Sequence, residues 1–308
     1  MGQQQRAAMS AIIQIEAMTK RFRKTVAVDR LTLEVPEGSI FAFLGPNGAG
    51  KTTTIKAMMN LFPPEEGRAL VMGRPSTELG PEDFQHIGYV SENQKMPGWM
   101  TVHEFIHYCA PMYPDWDWDF CRRLLKQFDL PADRKIKHLS RGMKVKAALL
   151  TSLAYRPRLL VLDEPFTGLD PLVRDEFIRG VLELTEQERW TVFISSHDID
   201  EVERLADWVG ILNKGRLGIC ESVEILQNRF RRAEAVLESE SAARKPYPAS
   251  WLLPEKAGPV LSYVESAFDA EAEPRLKEAV GAVRDVQFAP MSLRDIFLTL
   301  ARTYRITE

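Results

Sequence analysis

The chain has 308 residues, 45% of them hydrophobic. That is enough for a buried core and argues against a disordered chain. A net charge of −3 excludes the strong positive field of a general nucleic-acid binder. No run approaches the roughly 18 consecutive apolar residues that cross a bilayer, so a membrane role would come through a partner. The polar segment Met1–Ser10 lacks the apolar stretch of a secretory signal, which points to the cytoplasm. Cys109, Cys121 and Cys220 are odd in number and lack CxxC spacing, as reduced packing thiols would.

In chain order, residues 1–11 read as a flexible leader. Ile12–Ile15 and Leu31–Val35 are short strand-like runs, and Pro36-Glu37-Gly38-Ser39 is a turn. Ile40–Leu44 is a continuous apolar run, as in a strand buried on both faces of a parallel sheet. A glycine-rich loop follows, then a helix with Ile55, Met58, Met59 and Phe62 on about one face. Ile87–Val90 reads as a further strand. Residues 101–155 change to a helix-rich character with aromatic clusters around Trp116 and Trp118. The strand pattern resumes at Leu159–Leu162 and Thr191–Ser195. Val209–Leu212 and Arg216–Cys220 flank Asn213-Lys214-Gly215, a hairpin signal. Strands alternating with helices indicate an α/β fold with a parallel core sheet. Beyond residue 221 the composition shifts. Ser239–Ser250 reads as a surface connection, and Val260–Val264, Val283–Phe288 and a terminal helix after Ser292 form a small α+β extension.

Two motifs carry chemistry. Gly45-Pro46-Asn47-Gly48-Ala49-Gly50-Lys51-Thr52 matches G-x-x-x-x-G-K-[ST] between a buried strand and a helix. Its backbone N–H groups and the helix N-terminus would cradle phosphates, with Thr53 in the same turn. Lys51 would neutralise the β/γ-phosphates, and the Thr52 hydroxyl would ligate magnesium. Leu159-Leu160-Val161-Leu162-Asp163-Glu164 is an apolar strand ending in two carboxylates. Asp163 is placed to hold Mg²⁺, and Glu164 is the candidate base for an attacking water. Successive strand residues face opposite ways, so these two have separate jobs.

Further elements follow in order, and over residues 12–220 the chain resembles the ATP-binding subunits of ABC transporters. Leu139-Ser140-Arg141-Gly142-Met143 resembles the LSGGQ signature. Gly168-Leu169-Asp170 resembles the D-loop, and Ser196-His197-Asp198 the switch histidine segment. Phe22 matches the aromatic that stacks on adenine, and Glu92 occupies the Q-loop position, with Gln94 the alternative in a shifted register. The resemblance implies a P-loop NTPase fold: a parallel core sheet, an antiparallel β subdomain and a helical subdomain at about 99–155. It also implies ATP and Mg²⁺ as cofactors. A second ATPase subunit, identical or not, would present its Ser140, Arg141, Gly142 and Met143 to the nucleotide in trans. His197 would hold the γ-phosphate and water, and Asp170 would couple the two sites. An integral membrane permease is the implied partner, which makes the chain peripheral on the inner face of the membrane.

Three positions depart from the commonest family pattern. Glu92 replaces glutamine, Arg141 a glycine and Met143 a glutamine. Arg141 brings positive charge toward the partner's nucleotide. Residues 221–308, ending in Met291-Ser292-Leu293-Arg294-Asp295-Ile296-Phe297, resemble the extension of subunits paired with ABC-2 type exporters, including bacitracin-type ones. Trp116 and Trp118 read equally as a permease contact or as subdomain core. The competing classes are a soluble ABC ATPase acting on nucleic acid or ribosomes, and a nucleotide binder without turnover. A single phosphate loop argues against the first, and intact Glu164 and His197 against the second.

Overall fold

The computed structural model describes residues 10–92, 94–238 and 246–306. The proposed leader up to residue 9 and most of the expected connection, 239–245, lie outside the described residues. The chain divides into two compact units, Met1–Cys220 and Glu221–Glu308.

The first unit holds two sheets. Strands β3 (Ile40–Leu44), β6 (Ile87–Val90), β7 (Leu159–Asp163), β8 (Thr191–Ser196), β9 (Trp208–Asn213) and β10 (Arg216–Ser222) form a six-stranded sheet. Its order is β10-β9-β3-β8-β7-β6. Neighbours from β9 through β6 pair in parallel. Every residue of β3, β7 and β8 is buried, which is why β3, most of β7 and the middle of β8 are legible as apolar runs. Phe193 of β8 lies 5.6 Å from Phe41 and 5.3 Å from Phe43, ring centre to ring centre, locking adjacent strands together.

The expected antiparallel subdomain is a four-stranded sheet ordered β2-β1-β4-β5. It comprises β1 (Ala11–Phe22), β2 (Thr25–Pro36), β4 (Glu66–Val71) and β5 (Arg74–Pro75). Ala11, expected to close the leader, instead opens β1. The pairing of β1 with β2 shifts register between Ile15 and Met18, where Ala17 takes φ 46°. This bulge breaks the apolar alternation, so a twelve-residue strand reads as a four-residue one.

Helices α3 (Val102–Cys109), α4 (Trp118–Gln127) and α5 (Arg141–Leu153) make up the helical region. They follow α1 (Lys51–Met58) and the short α2 (Pro81–Phe84). Each start of the trio is capped by a side-chain oxygen: Thr101 accepts from Glu104 N–H, Asp117 from Phe120 N–H and Ser140 from Met143 N–H. Trp116 is 9% exposed and Trp118 39%. The pair therefore divides: Trp116 packs inside, and Trp118 keeps an open face.

The second unit contains α7 (Val223–Arg229), β11 (Arg231–Leu237), β12 (Trp251–Ala257), β13 (Val260–Glu265), α8 (Ala272–Val280), β14 (Val283–Pro290) and α9 (Leu293–Ile306). Its sheet is antiparallel, in the order β12-β13-β11-β14. Ala233, Ala235, Leu261 and Tyr263 pack with Leu276 and Val280 of α8 in a core of its own. The remaining long helix, α6 (Pro171–Glu188), belongs to the first unit.

Candidate nucleotide site

The site collects at the C-terminal ends of β3, β7 and β8, where a parallel sheet gathers ligands. After β3 the chain turns through Gly45–Gly50 into α1. Gly50 has φ 107°, and a Cβ there would meet the Ala27 carbonyl oxygen at 2.3 Å, so a side chain is excluded. Pro46, Asn47 and Gly48 are exposed, while Ala49 is buried. Lys51 is 5% exposed, and its Nζ donates to the Gly45 carbonyl at 2.7 Å. Thr52 and Thr53 continue the first turn of α1, and Thr52 Oγ1 donates to Asp163 Oδ1 at 3.1 Å.

Asp163 and Glu164 lie beside this loop, 1% and 7% exposed. Glu164 takes φ 51°, an uncommon conformation for a non-glycine residue. Glu164 N–H donates to Ser195 Oγ at 3.0 Å, and Ser195 donates to Asp163 Oδ1 at 2.8 Å. Glu164 Oε2 lies 2.7 Å from His197 Nδ1. Lys51 Nζ is 3.1 Å from Glu164 Oε1, off the hydrogen-bond axis, so Oε1 has no hydrogen-bond partner. Glu164 is thus shared between Lys51 and His197.

Burial pushes the Asp163 carboxyl above its ordinary value. Hydrogen bonds from Ser195 and Thr52 oppose that rise, and nearby Glu164 and Glu92 add to it. A buried carboxylate in this condition, beside a threonine hydroxyl, fits a divalent cation that would compensate its charge. Among the described residues no cluster of three or more His, Cys, Asp or Glu is arranged to hold a metal. Magnesium held with phosphates needs only one or two carboxylates.

The remaining expected residues are distributed as follows. Glu92 is exposed but close enough to act on the Asp163 charge. Gln94 lines a cavity with Tyr113 and Tyr155. Phe22 is 47% exposed and meets Phe62 edge to face at 5.5 Å. The signature residues lie against the D-loop. A Cβ on Gly142 would meet Val173 Cγ1 at 2.7 Å, and one on Gly168 would meet Arg141 Nη1 at 2.7 Å. Ser140 and Arg141 are exposed. Asp170 caps α6, accepting from Val173 N–H at 3.0 Å. Ser195 escaped the motif reading. Its one signal was a hydroxyl pair, Ser195-Ser196, ending an otherwise apolar strand beside the acidic one.

A strand–glycine loop–helix with an acidic strand one place removed in the same parallel sheet defines a P-loop nucleotide-binding protein. The comparisons narrow that class. The ABC transporter family model matches residues 28–167. The bacitracin transport ATP-binding protein BcrA of Bacillus licheniformis is 35% identical over 214 residues, covering 68% of this chain and 69% of its own length. The uncharacterized ABC transporter ATP-binding protein YhcH of Bacillus subtilis (strain 168) is 33% identical over 219 residues, 70% and 72% of the two chains. Among solved structures, cbiO1 from Clostridium perfringens, part of the ABC transporter complex cbiONQ, superposes with a TM-score of 0.59 at 25% identity. That match covers 69% of this chain and 88% of cbiO1. The chain belongs to the ABC transporter ATP-binding proteins, and is an ATP-hydrolysing subunit of that family.

Proposed function

We propose that this subunit powers a separate membrane permease of the ABC-2 export type, peripheral on the cytoplasmic face, with two ATPase subunits closing on Mg²⁺-ATP. The observation that carries the hydrolytic part is the convergence of Lys51, Thr52, Asp163, Glu164 and His197 at the C-terminal ends of the parallel strands. Thr52 and Asp163 would hold magnesium, which supplies charge neutralisation at the β- and γ-phosphate oxygens. Phosphate in the glycine loop offers Lys51 a stronger partner than Glu164. The freed carboxylate then accepts a proton from the attacking water, while His197 orients it. Phe22 would stack on the base. Glu92 would add a further carboxylate to the magnesium site.

The partners are read from surfaces. Ser140 and Arg141 stand exposed at a helix N-terminus, beside exposed Gly168 and Asp170 and a 66% exposed Leu172. Helix N-terminal N–H groups suit the γ-phosphate of a second subunit's nucleotide, and the leucine suits an apolar subunit contact. The permease would enter the cavity of about 290 Å³ lined by Leu61, Phe84, Gln94, Phe105, Tyr113 and Tyr155. No described helix is long and apolar enough to cross a membrane; the permease is proposed as a separate chain. Export is favoured by the likeness to the bacitracin transport protein.

The test is turnover with trapping. Glu164→Gln is expected to cut phosphate release at least about a hundredfold while retaining ATP, and Lys51→Ala to lose ATP. Equal nucleotide retention by wild type and Lys51→Ala overturns the site. Co-purification from membranes with a multi-spanning protein supports the permease; recovery with nucleic acid instead overturns it.

A further inference from the structure

Glu201 is a carboxylate only 4% exposed, a short way past His197. Its Oε2 accepts from the Ser196 hydroxyl at 2.5 Å. That same Oγ accepts from Asp198 N–H at 3.0 Å, closing a small turn with His197 at its middle. The Ser196 carbonyl accepts from Gly45 N–H at 3.2 Å, so the turn is also tied to the first residue of the phosphate loop. On its other side Glu201 Oε1 faces Arg174 Nη2 at 3.7 Å. Arg174 stands in the first turn of α6, its N–H donating to the Asp170 carbonyl at 3.0 Å. Arg174 Nε is buried without a hydrogen-bond partner.

A buried carboxylate is costly unless paired and hydrogen-bonded. Here one oxygen accepts from the hydroxyl that shapes the His197 turn, and the other forms a longer ion pair, without a hydrogen bond, to the arginine of the helix that Asp170 caps. An apolar side chain could fill the same space without that cost. What it could not do is draw the Ser196 proton away from the Asp198 carbonyl, the hydroxyl's other acceptor at 3.0 Å.

We propose that Glu201 is a positioning residue for hydrolysis: through Ser196 it fixes the turn that aims His197, and through Arg174 it fastens that turn to the start of α6. The proposal rests on the reading of His197 given above. Displacement of the α6 start, where the second subunit would press on Asp170 and Leu172, then reaches His197 through one carboxylate. A displacement of the order of 1 Å in a catalytic group can cost about a hundredfold in rate, so a rigid tether has a kinetic consequence.

The test is single-turnover hydrolysis of radiolabelled Mg²⁺-ATP by the purified full chain. Glu201→Ala and Ser196→Ala should each lower the rate constant about tenfold or more, with ATP affinity within about twofold of wild type. Glu201→Gln keeps an oxygen acceptor for Ser196 and should recover to within about threefold. In a His197→Ala chain, Glu201→Ala should cause no further loss, because the two changes remove one function. An undiminished Glu201→Ala effect in that background, or unchanged rates for both Glu201→Ala and Ser196→Ala, overturns the proposal. Should Glu201→Ala fail to fold, the comparison of Ser196→Ala with Glu201→Gln, each with and without His197→Ala, decides it. Lys51→Ala separates the levels: if it too leaves turnover intact, the site reading fails; if only the Glu201 variants are silent, this proposal alone fails.

Discussion

In the six-stranded sheet, buried charge accumulates at strand ends. Lys51, Asp163 and Glu164 are each less than a tenth exposed and lie at or after the C-terminal ends of β3 and β7, two strands of the same parallel sheet with β8 between them. The C-terminal sheet also buries a carboxylate, Glu265, at 0% exposure. That group caps its own chain, accepting from Ala267 N–H at 2.9 Å, with Arg275 4.0 Å away. Topology makes the difference. Parallel strands end on the same side, so side chains from neighbours converge. Antiparallel neighbours end on opposite sides, and polar groups stay with local partners. The first sheet is built to receive a charged ligand; the second is built to be filled by its own helix.

Asp163→Asn presses hardest on this contrast. Turnover should fall at least about a hundredfold, because the carboxylate placed for magnesium is lost. Stability without nucleotide should move the other way. The folded-state value of Asp163 lies above its ordinary one, so its ionised form burdens the fold. That burden is absent below the unfolded value near 3.8, sets in as pH rises through the folded value, and is complete above it. The variant should therefore melt higher than wild type at pH 8, the gap closing toward pH 4. A lower melting temperature at pH 8 would remove the claim that this site is strained without its ligand.

Leu276→Ala probes the other region. Leu276 is fully buried in the C-terminal core, so truncation should cost about 2–5 kcal/mol, read by denaturant unfolding. ATP turnover at 25 °C should stay within about twofold. A larger loss of turnover would mean that the C-terminal sheet shares in the chemistry. The smallest expected effect is at Phe22. Phe22→Ala should raise KM for ATP about two- to fivefold with kcat unchanged, the size of one stacking contact on an exposed ring. An unchanged KM would place the base elsewhere.

Legibility followed apolar content more than sheet: in the C-terminal sheet the expected runs Val260–Val264 and Val283–Phe288 fall on β13 and β14. β3 and β6 carry the limits their apolar runs predict, Ile40–Leu44 and Ile87–Val90. β11 and β12 were not anticipated. β11 alternates Arg231, Arg232 and Glu234 with buried Ala233 and Ala235, and β12 contains Pro254, which reads as a breaker. β4 begins Glu66-Gly67-Arg68 and also gave no apolar run. Half-buried strands of small and charged residues gain their identity from pairing, which no local window contains. Within the site, the glycine loop and the Asp163-Glu164 pair stood out because close phosphate approach demands particular residue types at fixed spacing. Ser195 and Glu201 did not, because serine and glutamate recur everywhere on a surface.

The sequence by itself determined the phosphate loop, the acidic strand end and the α/β alternation, since each is a local pattern imposed by backbone geometry or strand burial. Only the tertiary structure decided which carboxylate meets His197, that Ser195 bridges Asp163 and Glu164, that Arg141 packs on Gly168, and that Glu201 stands between Ser196 and Arg174. Those facts depend on strands and helices far apart in the chain being brought within a few ångströms, and side-chain identity alone does not encode that proximity.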